Sequence, residues 1–379
     1  MTTYRPAGPD DRAKVIDFIN MVFSMTARPH NFKTLIPKVY ADGRGRDDIH
    51  NIAVDEKGDV RGVVAILPQE MRVLDETLRT GFVGSVSVHP FSRGEGHMKA
   101  LMRLAVEREK ARGADLIALG GQRQRYEYFG FTPGGLGISY TITRANLRHT
   151  AGAVDVSDIA FVPFRGADAA LIEAACRLHA AQAAYIVRPP EDFAVILETW
   201  QESAWIILKG GAFAGYLAAS PGRDSLGELR LGEPSELRAV LKAWFEEANL
   251  QRLALTMPGF DRPMNRELSA IAEHYDLHTT QRLRVLNWPR VIRAFLRLNA
   301  AGGGVADGAL SLWIDGEPLT ISVRRGEVTV AQEAPQEAPR LSAMEAQTLF
   351  FSPLSALGRG VAPDGWLPLP FFIGAPDEF

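Results

Sequence analysis

The 379-residue chain predicts an α/β fold in three successive units, residues 1–150, 151–298 and 299–379. Three observations carry this. Helical and strand periodicities alternate over the first 150 residues. From Phe161 the same order of elements returns, and beyond Ala300-Ala-Gly-Gly-Gly304 short alternating strands take over. At roughly 100–200 residues per domain, a chain of this length holds two or three domains.

In the first unit, Pro9-Asp10-Asp11 opens a helix with Val15, Ile16, Phe18, Ile19, Val22 and Phe23 on its apolar face. Ile52–Val54, Val60–Leu67 and Gly81–Val88 read as strands, the first two joined by a turn at Glu56–Asp59. A helix follows with Met98, Leu101, Met102, Ala105 and Val106 inward; Gly113 ends it, and Leu116–Leu119 is the next strand. In the second unit, Trp205–Leu208 and Phe213–Ala218 echo the hairpin, while Leu237–Glu247 and Leu253–Met257 echo the helix and strand. Ala300–Gly304 reads as a flexible linker. The third unit has strands at Leu310–Ile314, Leu319–Val323 and Val328–Val330, a helix at Ser342–Phe350, and an apolar, Pro-rich tail ending at Phe379 that is expected to dock.

The composition, 46% hydrophobic and 23% charged, is that of a soluble globular protein. Lys plus Arg (42) against Asp plus Glu (45) leaves a formal charge of −3, which argues against a nucleic-acid partner. Cys176 stands alone, so neither a disulfide framework nor a Cys-based zinc site is available, and a reducing, cytoplasmic compartment is expected. The histidines do not cluster with acids at ligand spacing, so no metal is expected. No apolar run reaches the roughly 20 residues of a membrane span, and the N-terminus lacks the apolar stretch of a signal peptide, so no membrane partner is expected.

The most informative stretch runs from Val83 to Met98: a strand, the loop Phe91-Ser-Arg-Gly-Glu-Gly96, then a helix N-terminus. Such a junction offers unpaired backbone N–H groups and the positive end of a helix dipole to an anion. Gly94 and Gly96 would let a pyrophosphate approach the backbone, and Arg93 adds a charge. Lys99 occupies the third glycine position of a dinucleotide-binding fingerprint, and there is no P-loop.

Arg93-Gly-Glu-Gly-His-Met98 after a strand, followed by Tyr126-Glu-Tyr-Phe129-Gly130-Phe131, resembles the GNAT N-acetyltransferase superfamily. There an [QR]-x-x-G-x-[GA] loop holds acetyl-CoA and a Y-x-x-F-G-[FY] segment follows. Met98 departs from the small residue of that pattern. With the degenerate second unit and a small α+β third unit similar to sterol carrier proteins, the whole chain is similar to Eis-type acetyltransferases. The match over residues 1–150 is the specific part; the others rest on element order and on Leu310–Val330 with the apolar tail.

The resemblance implies acetyl-CoA as cosubstrate and direct attack of a primary amine on the thioester, with an aminoglycoside-like, polyamine or lysine-type acceptor. Val86 and Val88 would offer main-chain N–H groups to the thioester, and Arg93, Gly94, Gly96, His97 and Met98 would hold the pyrophosphate. Tyr126 would be the general acid; a phenol near 10 reprotonating a thiolate near 8.5 is uphill by about 2 kcal/mol. The carboxylate of Phe379 would be the base, with Asp377, Glu378 and His89 as alternatives. Met25, His30 and Phe32 would contact the acceptor, a small molecule or peptide. Glu233 and Ser235 stand opposite Gly94 and Gly96, so the second unit is expected to bind no CoA. The resemblance also implies a homo-oligomer. The rival reading is a non-catalytic acyl-CoA-binding regulatory protein, which would keep the loop but not need Tyr126.

Overall fold

The computed structural model describes residues 2–25, 28–357 and 360–379. In chain order the strands are β1 (Thr3–Pro6), β2 (His50–Val54), β3 (Val60–Val73), β4 (Glu76–Val88), β5 (Leu116–Leu119), β6 (Thr132–Gly134), β7 (Gly137–Thr143), β8 (Ile159–Pro163), β9 (Ala184–Ile186) and β10 (Ser203–Lys209). Then come β11 (Ala212–Ala219), β12 (Ser225–Leu231), β13 (Arg252–Pro258), β14 (His274–His278), β15 (Gln281–Val285), β16 (Gly308–Ile314), β17 (Glu317–Arg324), β18 (Glu327–Ala331) and β19 (Arg340–Leu341). The helices expected at Val15–Phe23, from Met98 and at Leu237–Glu247 span Arg12–Ser24, His97–Ala111 and Leu237–Glu247.

Two mixed sheets follow one plan. The first runs β1-β2-β3-β4-β5-β15-β6, with β9 also on β3; the second, read from its far edge, runs β8-β10-β11-β12-β13-β7-β14. In each, one parallel pair sits among antiparallel ones, β4 with β5 and β12 with β13. The parallel crossovers carry the helices His97–Ala111 and Leu237–Glu247. The repeated plan read from the sequence is therefore present in three dimensions.

The sheets nevertheless exchange strands. β7 leaves the first half of the chain to pair with β13 and β14, and β15 leaves the second half to pair with β5 and β6. The expected limit at 150 thus does not coincide with sheet membership, whereas the third sheet lies wholly within 299–379. The two connections pass so closely that side chains are excluded: a Cβ on Gly135 would stand 2.6 Å from Thr280 Oγ1, and one on Gly137 2.5 Å from Thr280 Cγ2. Gly135 also takes φ +83°, where glycine has no steric cost.

The flexible linker expected at Ala300–Gly304 is corrected. Ala300 and Ala301 complete the helix Trp288–Ala301, whose Val291, Ile292, Phe295, Leu296 and Leu298 are buried in the core. The Arg262 guanidinium holds the carbonyls of Gly302 and Gly303. Beyond them lies a four-stranded sheet, β18-β17-β16-β19, with the helix Ala343–Phe351.

The tail docks. Trp366, Leu369, Phe371, Ile373 and Phe379 are buried in the same cluster as Ile19, Val63 and Phe82. Among the described residues, no helix is long and apolar enough to cross a membrane.

Asp115, just before β5, locks the helix Trp288–Ala301 to the first sheet. Its carboxylate accepts from the Arg79 main-chain N–H (2.9 Å), Asn287 Nδ2 (3.0 Å) and Arg290 Nη1 (3.2 Å). Asp115→Ala, which leaves these donors unpaired, should lower the unfolding free energy by about 3 kcal/mol, seen as an earlier urea midpoint; an unmoved midpoint would show the lock to be dispensable.

Candidate active site

The parallel pairing of β4 with β5 covers only Thr80–Val83 against Leu116–Leu119. β4 runs on to Val88, so its later residues have no partner on that side. On the β3 side the register slips: Val63 faces Ser87 but Ala65 faces Gly84, so Ser85 and Val86 together oppose Val64. This is a β-bulge, with Ser85 at φ +53°. The Ser85 hydroxyl is buried and bonded to the Tyr40 hydroxyl at 2.6 Å.

The parting of the strands opens a cleft of about 960 Å³. Val86, Val88, Arg93, Gly94, Gly96, His97, Met98 and Tyr126 all line it, so eight residues singled out in the sequence meet on one wall system. Gly94 and Gly96 have φ +90° and +85°, and nothing stands within 4 Å of where a Cβ would be. The backbone conformation, not crowding, requires glycine there, and the open side is free for a ligand. Gly96 caps the helix, leaving the N–H groups of His97, Met98 and Lys99 without helical acceptors. Arg93, Lys99 and Arg125 add three cations to the lining. This donor set suits a diphosphate.

The His97 ring is turned away and committed elsewhere. It is 3% exposed, with Nδ1 at 2.8 Å from the Tyr4 hydroxyl and Nε2 at 3.1 Å from Glu95. What His97 offers an anion is its main chain. Met98 packs with Val86 and Tyr126 against the core beneath.

Tyr126 ends the single helical turn Arg123–Tyr126. Its ring lies against Gly121, where a Cβ would come within 3.0 Å of Cε2. Burial pushes its phenol above the ordinary value of 10, against a smaller downward pull from Arg125, so the group is a protonated donor at neutral pH. Tyr128 is exposed, with Lys99 over its ring at 4.6 Å and its hydroxyl bonded to Arg103. The side chain of His89 accepts from the Phe91 N–H.

Met25, His30 and Phe32 do not line this cleft. Phe32 is 2% exposed and sits edge-on to Phe23 and Tyr40, a core role that its apolar neighbours dictate. Met25 is 65% exposed, and His30 stacks on Phe32. Val22, Phe23, Ser87, Ser92, Lys99 and Arg125 line the cleft and were not singled out for it. Val22 was legible only as the apolar face of a helix, and Phe23 also as the start of the segment 23–32 expected to line the acceptor pocket.

Phe379 does not line the cleft either; it packs on the strand that forms its wall. A Cβ on Gly84 would stand 2.7 Å from the Phe379 ring and 2.9 Å from its carboxyl carbon. The terminal residue therefore sits at the foot of the bulge, two residues from Val86. Asp377 and Glu378 are otherwise engaged: Arg188 grips the Asp377 carboxylate, and Gln281 bonds Glu378 Oε1 at 2.8 Å. Burial raises the Glu378 carboxyl above its ordinary range.

A family model described as an acetyltransferase (GNAT) domain matches residues 3–134, which hold both the loop and Tyr126. No curated protein matches the chain in sequence. Among solved structures, a GCN5-related N-acetyltransferase from Kribbella flavida superposes with TM-score 0.67 at 19% identity, over 100% of this chain and 98% of that one. One from Anabaena variabilis gives 0.63 at 16%, over 95% and 93%, and Eis1 from Mycobacterium abscessus 0.60 at 15%, over 93% and 89%. Residues 3–134 thus match the GNAT acetyltransferase domain, and over nearly its whole length the chain shares its fold with GCN5-related N-acetyltransferases and with Eis1.

Proposed function

We propose that this protein acetylates a primary amine by direct attack on the acetyl-CoA thioester. The observation that carries the reading is the meeting of the Gly94–Met98 anion cradle, the bulged strand at Val86 and the half-buried Tyr126 in one cleft. The N–H groups of Arg93–Lys99 hold the pyrophosphate. The main chain at Val86, freed from the ladder by the bulge, donates to the thioester oxygen as charge builds on it. Tyr126 donates to the departing sulfur. Because burial raises its phenol, full proton transfer costs more than the reference values imply, and a strong hydrogen bond in the transition state is the larger part of its work. The Phe379 carboxylate takes the proton of the attacking amine.

The acceptor is an aminoglycoside-like, polyamine or lysine-type amine. Residues 1–150 supply the catalytic unit and 151–298 a scaffold without a CoA site. There the helix Leu237–Glu247 begins at the N-cap Glu236, paired with Lys209 at 3.1 Å, where the first unit has Gly96; matching the helix starts thus moves the correspondence by one residue from Ser235 and still sets acid against glycine. Titration with acetyl-CoA in a calorimeter, followed by CoA release over a panel of spermidine, a lysine peptide and an aminoglycoside, tests this. Binding with release supports the enzyme; binding without release from any amine favours the regulatory reading.

Three outcomes are expected. Tyr126→Phe should lower kcat about 100-fold while acetyl-CoA affinity stays within about threefold, and an unchanged kcat would remove Tyr126 as the acid. Gly96→Val, forced to φ +85°, should weaken acetyl-CoA binding by about tenfold or more in the same titration. Adding one glycine after Phe379 should reduce kcat by about tenfold or more; full turnover would dismiss the terminal carboxylate.

A further inference from the structure

Lys38 is a buried cation whose hydrogen bonds go to neutral groups. It lies in the short helix Pro37–Tyr40, is 7% exposed, and its Nζ donates at 2.5 Å to the carbonyls of Pro376 and of Glu378. Among the described residues, no carboxylate lies within ion-pairing distance of it. Burying an ammonium on carbonyls alone is expensive, and a methionine of similar length would fill the space at lower cost. Docking of an apolar tail therefore does not call for a lysine here.

Its neighbours show what the lysine supplies. Gln69 Nε2 donates to the Asp377 carbonyl at 2.6 Å. Three consecutive carbonyls, 376, 377 and 378, are thus each held by a side chain reaching in from the first unit. The Glu378 carbonyl is one peptide unit from the carboxylate of Phe379, whose ring lies 6.0 Å from that of Tyr40, two residues beyond Lys38. The same side chain helps line a cavity of about 250 Å³ with Arg46, Gln69, Ile186, Pro189 and Asp377, so water can reach its surroundings.

We propose that Lys38 is the positioning residue of the terminal carboxylate, fixing the last peptide units so that the Phe379 carboxylate stays at the β4 bulge, with its charge favouring the ionised carboxylate. This rests on the reading of Phe379 as the base. The charged groups that bear on Lys38 are Asp377 and Glu378 from the tail, Arg188 from the segment after β9, and Arg46 from the loop before β2. Burial is the largest influence and brings its ammonium down to about 7, with Asp377 and Glu378 opposing and Arg188 and Arg46 assisting. In the unfolded chain the ammonium returns to its ordinary value of 10.5. Between pH 7 and 10.5 the unfolded state then binds the extra proton, so stability rises with pH across that window.

The test compares Lys38→Met and Lys38→Arg with the parent, using the best amine of the panel. For Lys38→Met the expected result is a melting temperature no lower than the parent's and an acetyl-CoA KM within about threefold. Its kcat should fall about tenfold or more, and the acidic limb of the kcat–pH profile should move to higher pH by about half a unit or more as the carboxylate loses its neighbouring cation. Lys38→Arg, which keeps the charge, should leave that limb in place. A Met variant with parental kcat and limb overturns the proposal, as does one that merely melts early with its limb unmoved. The glycine extension separates the two readings: if it cripples turnover while Lys38→Met does not, only Lys38 loses its role; if it is silent, the carboxylate and Lys38 fall together. No release from the parent with any amine sinks both.

Discussion

Arg188 is where the parts of this protein are tied. It follows β9, the strand that the stretch beyond residue 150 lays on β3. Its side chain is 1% exposed and donates to both oxygens of Asp377, at 2.9 and 2.7 Å, and to both oxygens of Glu228 in β12, at 3.2 and 2.6 Å. Burial works against every one of these charges. Asp377 and Glu228 still hold the guanidinium well above its ordinary value, and Arg188 holds the Glu228 carboxyl well below its own. Tyr216 donates to Glu228 as well. Such a lock adds little net stability over an apolar replacement, yet losing one member costs about 3–5 kcal/mol because the others stay charged and buried. Its effect is on geometry: first sheet, second sheet and tail can meet in one relative position.

The strand exchange imposes the same constraint on the backbone. β15 completes the sheet that carries the cleft and β7 completes the other, so neither sheet closes without a strand from the far half of the chain. The crossing at Gly135, Gly137 and Thr280 leaves no space for a side chain on either glycine. A second unit without a glycine cradle is thus bound into the architecture of the first, and its retention needs no ligand of its own to account for it.

The cleft was legible in the sequence because its chemistry is local. Glycines at positive φ, a helix start and a tyrosine near a Gly-Phe turn all show within a few residues, and the sheet strands follow from alternation. The exchanged strands were not legible as such, because β15 and β7 look like any half-buried strand and only pairing assigns them to a sheet. Phe32 was placed at the acceptor pocket from its position after the first helix, whereas its apolar surroundings draw it into the core. Lys38, Gln69, Arg188 and Gln281 gave no signal. Lys38 meets its acceptors 338 and 340 positions along the chain, and a lone lysine between Pro37 and Val39 reads as a surface residue. Only the tail's apolarity announced that it would be buried.

One irregularity in one strand serves both flanks of the proposed chemistry. The extra residue in β4 turns Val86 out of the ladder toward the cleft, and at Gly84 it leaves a face bare enough for a ring and a carboxyl group to rest on the main chain. A side chain at position 84 would occupy that place. Shifting the bulge by one residue would reverse which of the two residues faces which side. Phe379 thus has its seat behind the strand at Gly84, while Tyr126 stands in the cleft on the turn Arg123–Tyr126. Their surroundings differ as an acid and a base require: the half-buried phenol is kept protonated, and the terminus lies one peptide from a carbonyl held by Lys38. The strand between them keeps the proposed acid and the proposed base from exchanging protons with each other.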